Sequence, residues 1–251
     1  MAKQKGIIPL KGTIGNITFY KSKDGFLARE KGTLDGKRIK ADDAFQRTRE
    51  NMQEFGKAGK AGKVLRNSIR TLLQNTSDSR MIARLTKELM KVVHADATNP
   101  RGMRNVIDGE AELLTGFEFN ANSKLVTTLY APFTTTINRV SGELIVNVAA
   151  FIPRNMVAAP AGATHFKITS AGAEIDFENE TYVASIHSTA ELPWNTTATA
   201  VINLVNPVTA ASTKPLFLVV GIEFFQEVNG GMYSLKNGAF NSLALVKVSG
   251  E

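Results

Sequence analysis

The chain has 251 residues, enough for one large or two modest domains, and its 43% hydrophobic content is that of an ordinary globular protein. It contains no cysteine, which excludes a disulfide framework and a thiolate metal site. The N-terminal apolar run is broken at Lys11, and no run approaches the roughly 20 apolar residues of a membrane span. The sequence therefore predicts a soluble product, cytoplasmic at synthesis, with no export signal of its own.

The net charge of +7 is unevenly distributed along the chain. Residues 1–110 carry 23 Lys and Arg against 12 Asp and Glu, whereas residues 111–251 carry 7 against 11. This asymmetry predicts either a contact with a polyanion or a charge-complementary contact between copies of the chain. A solvated basic surface without a partner is the alternative.

The N-terminal residues 1–36 are predicted to form an extended arm and a β-hairpin. Residues 16–21 alternate, with Ile17 and Phe19 on one face, and Phe26 belongs to the returning strand after an Asp-Gly turn. An isolated two-stranded hairpin is marginal in water, so it must rest on its own domain or on a neighbouring subunit. We expect the neighbour, because a sandwich leaves edge strands that accept an added strand.

A basic linker, residues 31–40, leads to a predicted helix over residues 47–73, with Asp42 and Asp43 at its favourable N-terminal end. An apolar stripe is predicted to include Phe45, Met52, Phe55, Val64, Leu65, Ile69 and Leu72. Three glycines spaced three residues apart interrupt this helix, and each costs about 1 kcal/mol relative to alanine in a helix interior. Three alternatives remain open: close packing of another backbone on the glycines, a helix break with a solvated basic loop, or direct contact of the adjacent lysines with a polyanion.

Two sets of residues in this N-terminal part are candidate contacts. An intersubunit contact is predicted for Ile17, Phe19, Phe26, Gly56, Gly59 and Gly62. A polyanion contact, with nucleic acid as the polyanion, is predicted as the alternative for Lys37, Arg38, Lys40, Lys57, Lys60, Lys63, Arg66 and Arg70. Neither set needs a cofactor.

A second helix is predicted over residues 79–93, and a shorter helix-like turn over residues 103–114. From residue 115 the hydrophobic periodicity changes to two, which predicts an antiparallel β-sandwich. The candidate strands are residues 117–120, 123–130, the residues next to Asn138, 143–151, 164–170, 182–188, 197–205, 215–226, 232–235 and 242–248, with a turn at Ala171-Gly172 among others. The apolar run from residue 216 is typical of a central strand covered on both faces.

These patterns predict an α+β, mainly β fold, in which an N-terminal hairpin and a helical region precede the sandwich. The predicted domains are residues 1–36, 37–114 and 115–251.

The sequence contains no recognisable catalytic motif. His165 and His187 fall within candidate strands and are interpreted as sheet residues, and His94 lies in no motif either. Glu174, Asp176 and Glu178 alternate along a possible strand and could hold a hard cation such as calcium, although the spacing is not that of an EF-hand. Over a cation site we favour a solvated acidic edge, or an acidic surface that pairs with the basic half of another copy. We therefore predict a protein that is not an enzyme and has no cofactor or metal.

Three segments carry a resemblance: KGTIGNITFYK at residues 11–21, RTREN at residues 47–51 and FGKAGK at residues 55–60. Over about the first 70 residues the chain resembles an uncharacterised family of bacterial and phage-borne proteins that have an N-terminal hairpin, a basic helical segment and a β-rich C-terminal half. The resemblance implies a structural role, as a homo-oligomeric building block of a virion or another ordered assembly. Nucleic-acid binding through the basic segment is the alternative function.

Overall fold

The computed structural model describes residues 2–6, 8–22, 24–32, 36–76, 78–235 and 238–250. The chain divides into two compact units, Met1–Arg49 and Glu50–Glu251. Strand makes up 35% of the structure and helix 27%, so the predicted α+β, mainly β class is confirmed.

The first unit is built on a four-stranded antiparallel sheet in the order β1-β4-β3-β2. Its strands are β1 (Ala2–Lys3), β2 (Gly12–Ile14), β3 (Ile17–Ser22) and β4 (Gly25–Glu30). The predicted hairpin is β3 and β4, with Gly25 at a φ of 104° where the chain reverses. The two short strands on either side of this hairpin were not predicted.

The basic linker that follows is partly helical, which was not predicted. Helix α1 covers Gly36–Ala41, while residues 33–35 of the linker lie outside the described residues. Asp42 then caps a 3-10 turn, Asp43–Phe45, by accepting the backbone N–H of Ala44 at 3.0 Å. A carboxylate thus stands just ahead of the long helix, as the sequence predicted.

The helices from this point are α2 (Gln46–Ser68), α3 (Arg70–Gln74), α4 (Met81–Ala95), α5 (Leu125–Thr128) and α6 (Pro153–Met156). The predicted second helix is confirmed as α4. The helix-like turn expected over residues 103–114 is wrong for most of its length, since its helical part is a 3-10 turn at Ala111–Leu114.

The strands of the second unit are β5 (Phe133–Asn138), β6 (Glu143–Val148), β7 (His165–Asp176), β8 (Thr181–Ser188), β9 (Leu192–Pro193), β10 (Ile202–Pro207), β11 (Leu216–Val228), β12 (Gly231–Ser234) and β13 (Ser242–Ser249). Within the described residues they form two antiparallel sheets. The smaller sheet has the order β10-β6-β5. In the larger one, β11 lies between β7 on one side and β12 and β13 on the other, and β8 and β9 pair with β7.

The central strand β11 is buried on both faces, as predicted. Phe217 and Val219 belong to an apolar core shared with the helices, whereas Leu218 and Val220 belong to a core shared with the smaller sheet. The first core takes its helical residues from α2, α3 and α4, including Leu65, Leu72, Leu85, Leu89 and Val93. The second unit therefore has three layers: helices, the larger sheet and the smaller sheet.

Two predicted strands are wrong. Residues 123–130 contain α5 instead, because the Glu118 carboxylate accepts the N–H of Leu125 at 3.1 Å and so satisfies a free donor at the start of the turn. Residues 117–120 form an isolated bridge, in which Glu118 lies opposite Ala244, instead of a strand.

The turn predicted at Ala171-Gly172 is also wrong, since β7 continues through it to Asp176. A Cβ atom on Gly172 would lie 2.8 Å from Cβ of Asn206, a residue of β10. The glycine thus permits close approach of the two sheets, a reason that is invisible in the local sequence.

Candidate functional site

Helix α2 runs without interruption through the three glycines, so the helix break considered above is wrong. The glycines have different surroundings. A Cβ atom on Gly62 would lie 3.0 Å from Cδ1 of Leu89 in α4, whereas a Cβ on Gly56 or Gly59 would meet no atom within 4 Å. Close packing at Gly62 is therefore with the chain's own helix, and the free helix surface carries Gly56 and Gly59.

The apolar stripe predicted along α2 divides between two faces of the helix. Val64 and Leu65 are buried in the core, but Met52 and Phe55 are 62% and 60% exposed. At 100° per residue, Met52, Phe55, Gly56 and Gly59 fall within a sector of about 100°. We call these four residues the open face of α2. It combines two large apolar side chains with two positions where a neighbouring backbone has room to approach.

On the side of α2 that meets the rest of the unit, Glu54 is almost completely buried. Its carboxylate accepts the N–H of Gly102 at 2.7 Å and lies 3.8 Å from Nε of Arg104 and 3.5 Å from Nε2 of His94. These partners fasten the loop after α4 onto α2. This cluster was not predicted, because a single Glu among Lys and Gln has the pattern of a solvated helix surface.

Several of the predicted polyanion-contact residues are bonded within their own unit. In the first unit Arg38 pairs with Asp42 at 3.0 Å, beside the exposed Lys37 and Lys40 of α1. In the second unit the Lys57 amine donates to the carbonyl of Met103, and Lys60 lies 3.5 Å from Glu180.

The remaining basic residues of the second unit differ in exposure. Lys63 of α2 and Arg70 of α3 are exposed, while Arg66 is half-buried and its burial lowers its pKa. Of the predicted polyanion-contact residues in α2 and α3, Lys63 and Arg70 are therefore exposed, as is Lys60, which lies near Glu180.

The hairpin residues predicted for an intersubunit contact share one face of the first unit's sheet. Phe19 lies opposite Ala28 and Lys21 opposite Phe26, so Ile17, Phe19 and Phe26 project to the same side. Pairing with Ile17 adds Ile14 from β2. Ile14 is 62% and Ile17 46% exposed, and the two phenylalanines are half-buried. We call Ile14, Ile17, Phe19 and Phe26 the open face of the N-terminal sheet.

The acidic run beyond residue 174 forms a turn, not the continuous strand predicted. β7 ends at Asp176, and Glu178 and Glu180 lie in the turn that leads into β8. The Asp176 carboxylate accepts the N–H of Asn179 at 2.9 Å and pairs with Lys214, and these contacts hold its pKa well below the ordinary value. Among the described residues no group of three or more acidic or His side chains could hold a metal ion.

One end of this turn meets the basic helix of the same chain, through the Lys60–Glu180 pair. The acidic turn was predicted as a solvated edge or as an electrostatic mate for another copy. Part of its charge is matched within its own unit instead.

A second concentration of charge lies beside α4, in a surface groove lined by Arg84, Lys87, Glu118 and Lys124 among others. The Arg84 guanidinium is already engaged, since it pairs with Asp78 at 2.6 Å and donates to the carbonyl of Glu118 at 2.7 Å. Burial raises the pKa of Glu118. Because both cationic and anionic side chains line this groove, it favours neither an anionic nor a cationic ligand.

No protein-family model fits the chain, and no curated protein or solved structure is similar to it. In the part of the chain that the structure describes, no helix has the length and hydropathy needed to cross a membrane.

The open face of the N-terminal sheet was predicted from the sequence more completely than the open face of α2. Period-two alternation placed Ile17 and Phe19 together, and the register of β3 and β4 brings Phe26 beside them. Ile14 was missed because β2 is only three residues long and its alternation is too short to detect.

Proposed function

We propose that the protein is a non-enzymatic structural subunit of an ordered homo-oligomeric assembly, a virion being the assembly favoured by the resemblance of its first 70 residues. The observation that carries the proposal is the open face of the N-terminal sheet. A contiguous apolar patch on a small sheet is typical of a surface that another protein covers.

A second copy of the chain is the partner that this face fits best. The face places Lys21 near the hairpin turn and Glu30, opposite Ile17, toward the other end. A copy that docks across a two-fold axis would bring the lysine of each sheet toward the glutamate of the other, with the apolar residues between them. The open face of α2 offers a further contact, because Gly56 and Gly59 allow close approach of another helix.

The surroundings of two acidic residues, the buried Glu54 and the half-buried Asp176, support the non-enzymatic part of the proposal. Glu54 is held by the N–H of Gly102 and Asp176 by Asn179 and Lys214, and each carboxylate fastens a loop or turn. His165 and His187 lie in β7 and β8, the sheet positions that the sequence predicted. A catalytic acid or base needs a free position toward a substrate, whereas the carboxylates of Glu54 and Asp176 are engaged in contacts within the chain.

The test compares two adjacent positions of β2 that point to opposite faces of the sheet. Ile14 belongs to the open face, and Thr13 lies opposite Thr18 on the other side. We expect Ile14→Lys to reduce the mass of the assembly measured by sedimentation velocity, and Thr13→Lys to leave it unchanged. A wild-type chain that stays monomeric at high concentration, or equal behaviour of the two variants, contradicts the proposal.

Nucleic-acid binding is the second candidate function, and the exposure of Lys63 and Arg70 favours it. Phosphate binding releases counterions, so the logarithm of the affinity falls with the logarithm of salt concentration by about 0.9 for each phosphate contacted. If a DNA duplex binds and Lys63→Ala lowers this slope by about one, the basic segment contacts phosphate. An assembly that is held together by apolar contacts instead persists as the salt concentration rises.

A further inference from the structure

Strand β8 lies at one border of the larger sheet. It pairs with β7 along its whole length, from Thr181 opposite Asp176 to Ser188 opposite Thr169. Among the described residues no strand pairs with its other side. Apart from Ser185, which is half-buried, every residue of β8 is exposed.

The hydrogen-bond pattern tells which backbone groups of β8 point outward. The N–H of Thr189 donates to the carbonyl of Ile168 at 2.9 Å, which makes this a hydrogen-bonded pair at the end of the β7–β8 ladder. Such pairs alternate in an antiparallel ladder, so the odd-numbered residues of β8 bond to β7. The backbone groups of Tyr182, Ala184 and Ile186 therefore point away from the sheet.

This edge lacks the features that usually prevent strand pairing. The sequence of β8, TYVASIHS, contains no Lys, Arg, Asp, Glu or Pro, and the β7–β8 register has no bulge. The acidic groups at its two ends are matched within the chain, Glu180 by Lys60 at 3.5 Å and Glu191 by Lys167 at 3.7 Å. An approaching strand thus meets a long, uncharged row of free backbone groups.

The side chains indicate which strand fits. Tyr182, Ala184 and Ile186 lie on one face of the sheet, opposite Ile175, Ala173 and Ala171 of β7. Tyr182 is 45% and Ile186 39% exposed. A partner strand on this edge must place an apolar side chain beside each of them and a small one beside Ala184. The sequence of β8 itself meets this requirement when it runs in the opposite direction.

We propose that β8 pairs antiparallel with β8 of a second copy, across a two-fold axis at Ala184, so that the larger sheet continues from one copy into the other. Opposite residues of an antiparallel pair share a face, and this register sets each Tyr182 against Ile186 of the second copy. An aromatic side chain opposite a β-branched one is a favourable cross-strand pair. The contact uses neither the N-terminal sheet nor the open face of α2, and it does not rest on the assembly role proposed above.

The absence of cysteine from the chain allows a direct test of this register by single-cysteine substitution. In a hydrogen-bonded antiparallel pair the Cα atoms are about 5.5 Å apart, within the range that a disulfide spans. The twofold axis places position 184 opposite itself. Position 182 lies four residues from its own counterpart, or about 14 Å along the strand, beyond disulfide reach.

We expect Ala184→Cys to form a disulfide-linked dimer of the full chain under mild oxidation roughly tenfold faster than Tyr182→Cys or Ile186→Cys alone. A mixture of Tyr182→Cys and Ile186→Cys should form mixed dimers at the faster rate. Ala184→Lys, which places two like charges on the axis, should shift the chain toward lower mass in sedimentation, and Val140→Lys on an exposed turn is its control.

Equal cross-linking of the three cysteine variants, or none under native conditions, overturns the proposal. Protection of Ala184→Cys from oxidation would show that a different strand, such as the arm of a neighbour, covers this edge, and it also overturns the proposal. If the proposed contact through the N-terminal sheet is wrong, the result is different. Ile14→Lys then leaves the mass of the assembly unchanged, while the pattern of disulfide cross-linking at β8 persists.

Discussion

Replacing Gly56 or Gly59 with alanine is expected to stabilise the folded chain. Both residues lie inside α2, where glycine costs about 1 kcal/mol relative to alanine because the unfolded glycine backbone has more freedom to lose. A Cβ atom at either position meets no atom within 4 Å, so no steric penalty opposes the gain. We expect each substitution to raise the free energy of unfolding by about 0.5–1 kcal/mol.

Gly62→Ala is the matched control, because it makes the same change in the same helix at a buried position. The new methyl group would lie 3.0 Å from Cδ1 of Leu89, which must shift, and 3.7 Å from Cδ2 of Leu85, an ordinary van der Waals contact. We expect the gain at this position to be smaller than at Gly56, or to become a loss.

Urea unfolding measures these differences through a single fluorophore. Trp194, the only tryptophan in the chain, lies in the second unit, where its Nε1–H donates to the carbonyl of Val157 at 3.1 Å. A gain of 1 kcal/mol also raises the melting temperature by about 2–4 °C in a unit of this size. A loss of stability in both Gly56→Ala and Gly59→Ala would refute the description of these positions as open and helical.

Gly172→Ala should destabilise the chain by about 1–3 kcal/mol in urea unfolding, because the added methyl overlaps Asn206 of the facing sheet; an unchanged unfolding midpoint would show that the sheets separate easily. The Asp176 carboxylate has a folded-state pKa below its unfolded value of about 3.9, so it stabilises the fold above about pH 4 and this stabilisation is lost as the pH falls further. Wild type should therefore lose more stability between pH 6 and pH 3 than Asp176→Asn does, and parallel pH profiles of the two proteins would contradict this assignment.

Elements whose own residues carry a long periodic pattern were predictable from the sequence. Helix α4 shows apolar residues at helical spacing, and β11 and β13 show long apolar runs, so each was placed within a few residues of its observed bounds. The local pattern suffices in these cases because burial against the core follows the same period as the backbone.

Elements that depend on a distant partner were not predictable. Helix α5 forms where Thr and Val favour a strand, because the Glu118 carboxylate supplies the hydrogen bond that starts the turn. Gly172 has the local pattern of a turn residue, but it is needed for the approach of Asn206, which is more than thirty residues away in sequence. Neither Glu118 nor Asn206 can be recognised as a contact from the sequence alone, because each contact exists only in the folded chain.

The candidate surfaces likewise contain residues whose positions could be predicted from the sequence and residues whose positions could not. The shared face of Ile17 and Phe19 follows from alternation alone. The exposure of Met52 and Phe55 does not, because helical spacing shows that residues share a face but not which face the core covers. In α2 the small residues Ala58 and Ala61 are buried together with Val64 and Leu65, while the large side chains of Met52 and Phe55 are exposed.

Three features of the chain make a single copy less stable or less soluble than it needs to be. Gly56 and Gly59 together weaken α2 by about 1–2 kcal/mol, the N-terminal sheet leaves Ile14 and Ile17 in water, and β8 presents uncharged backbone groups along its edge. Simple substitutions would remove each of them: alanine in the helix, a polar residue on the sheet face and a lysine on the edge. Each becomes favourable once another surface covers it. The three features lie on different elements and have different physical causes, and the contacts with further copies proposed above would account for all of them.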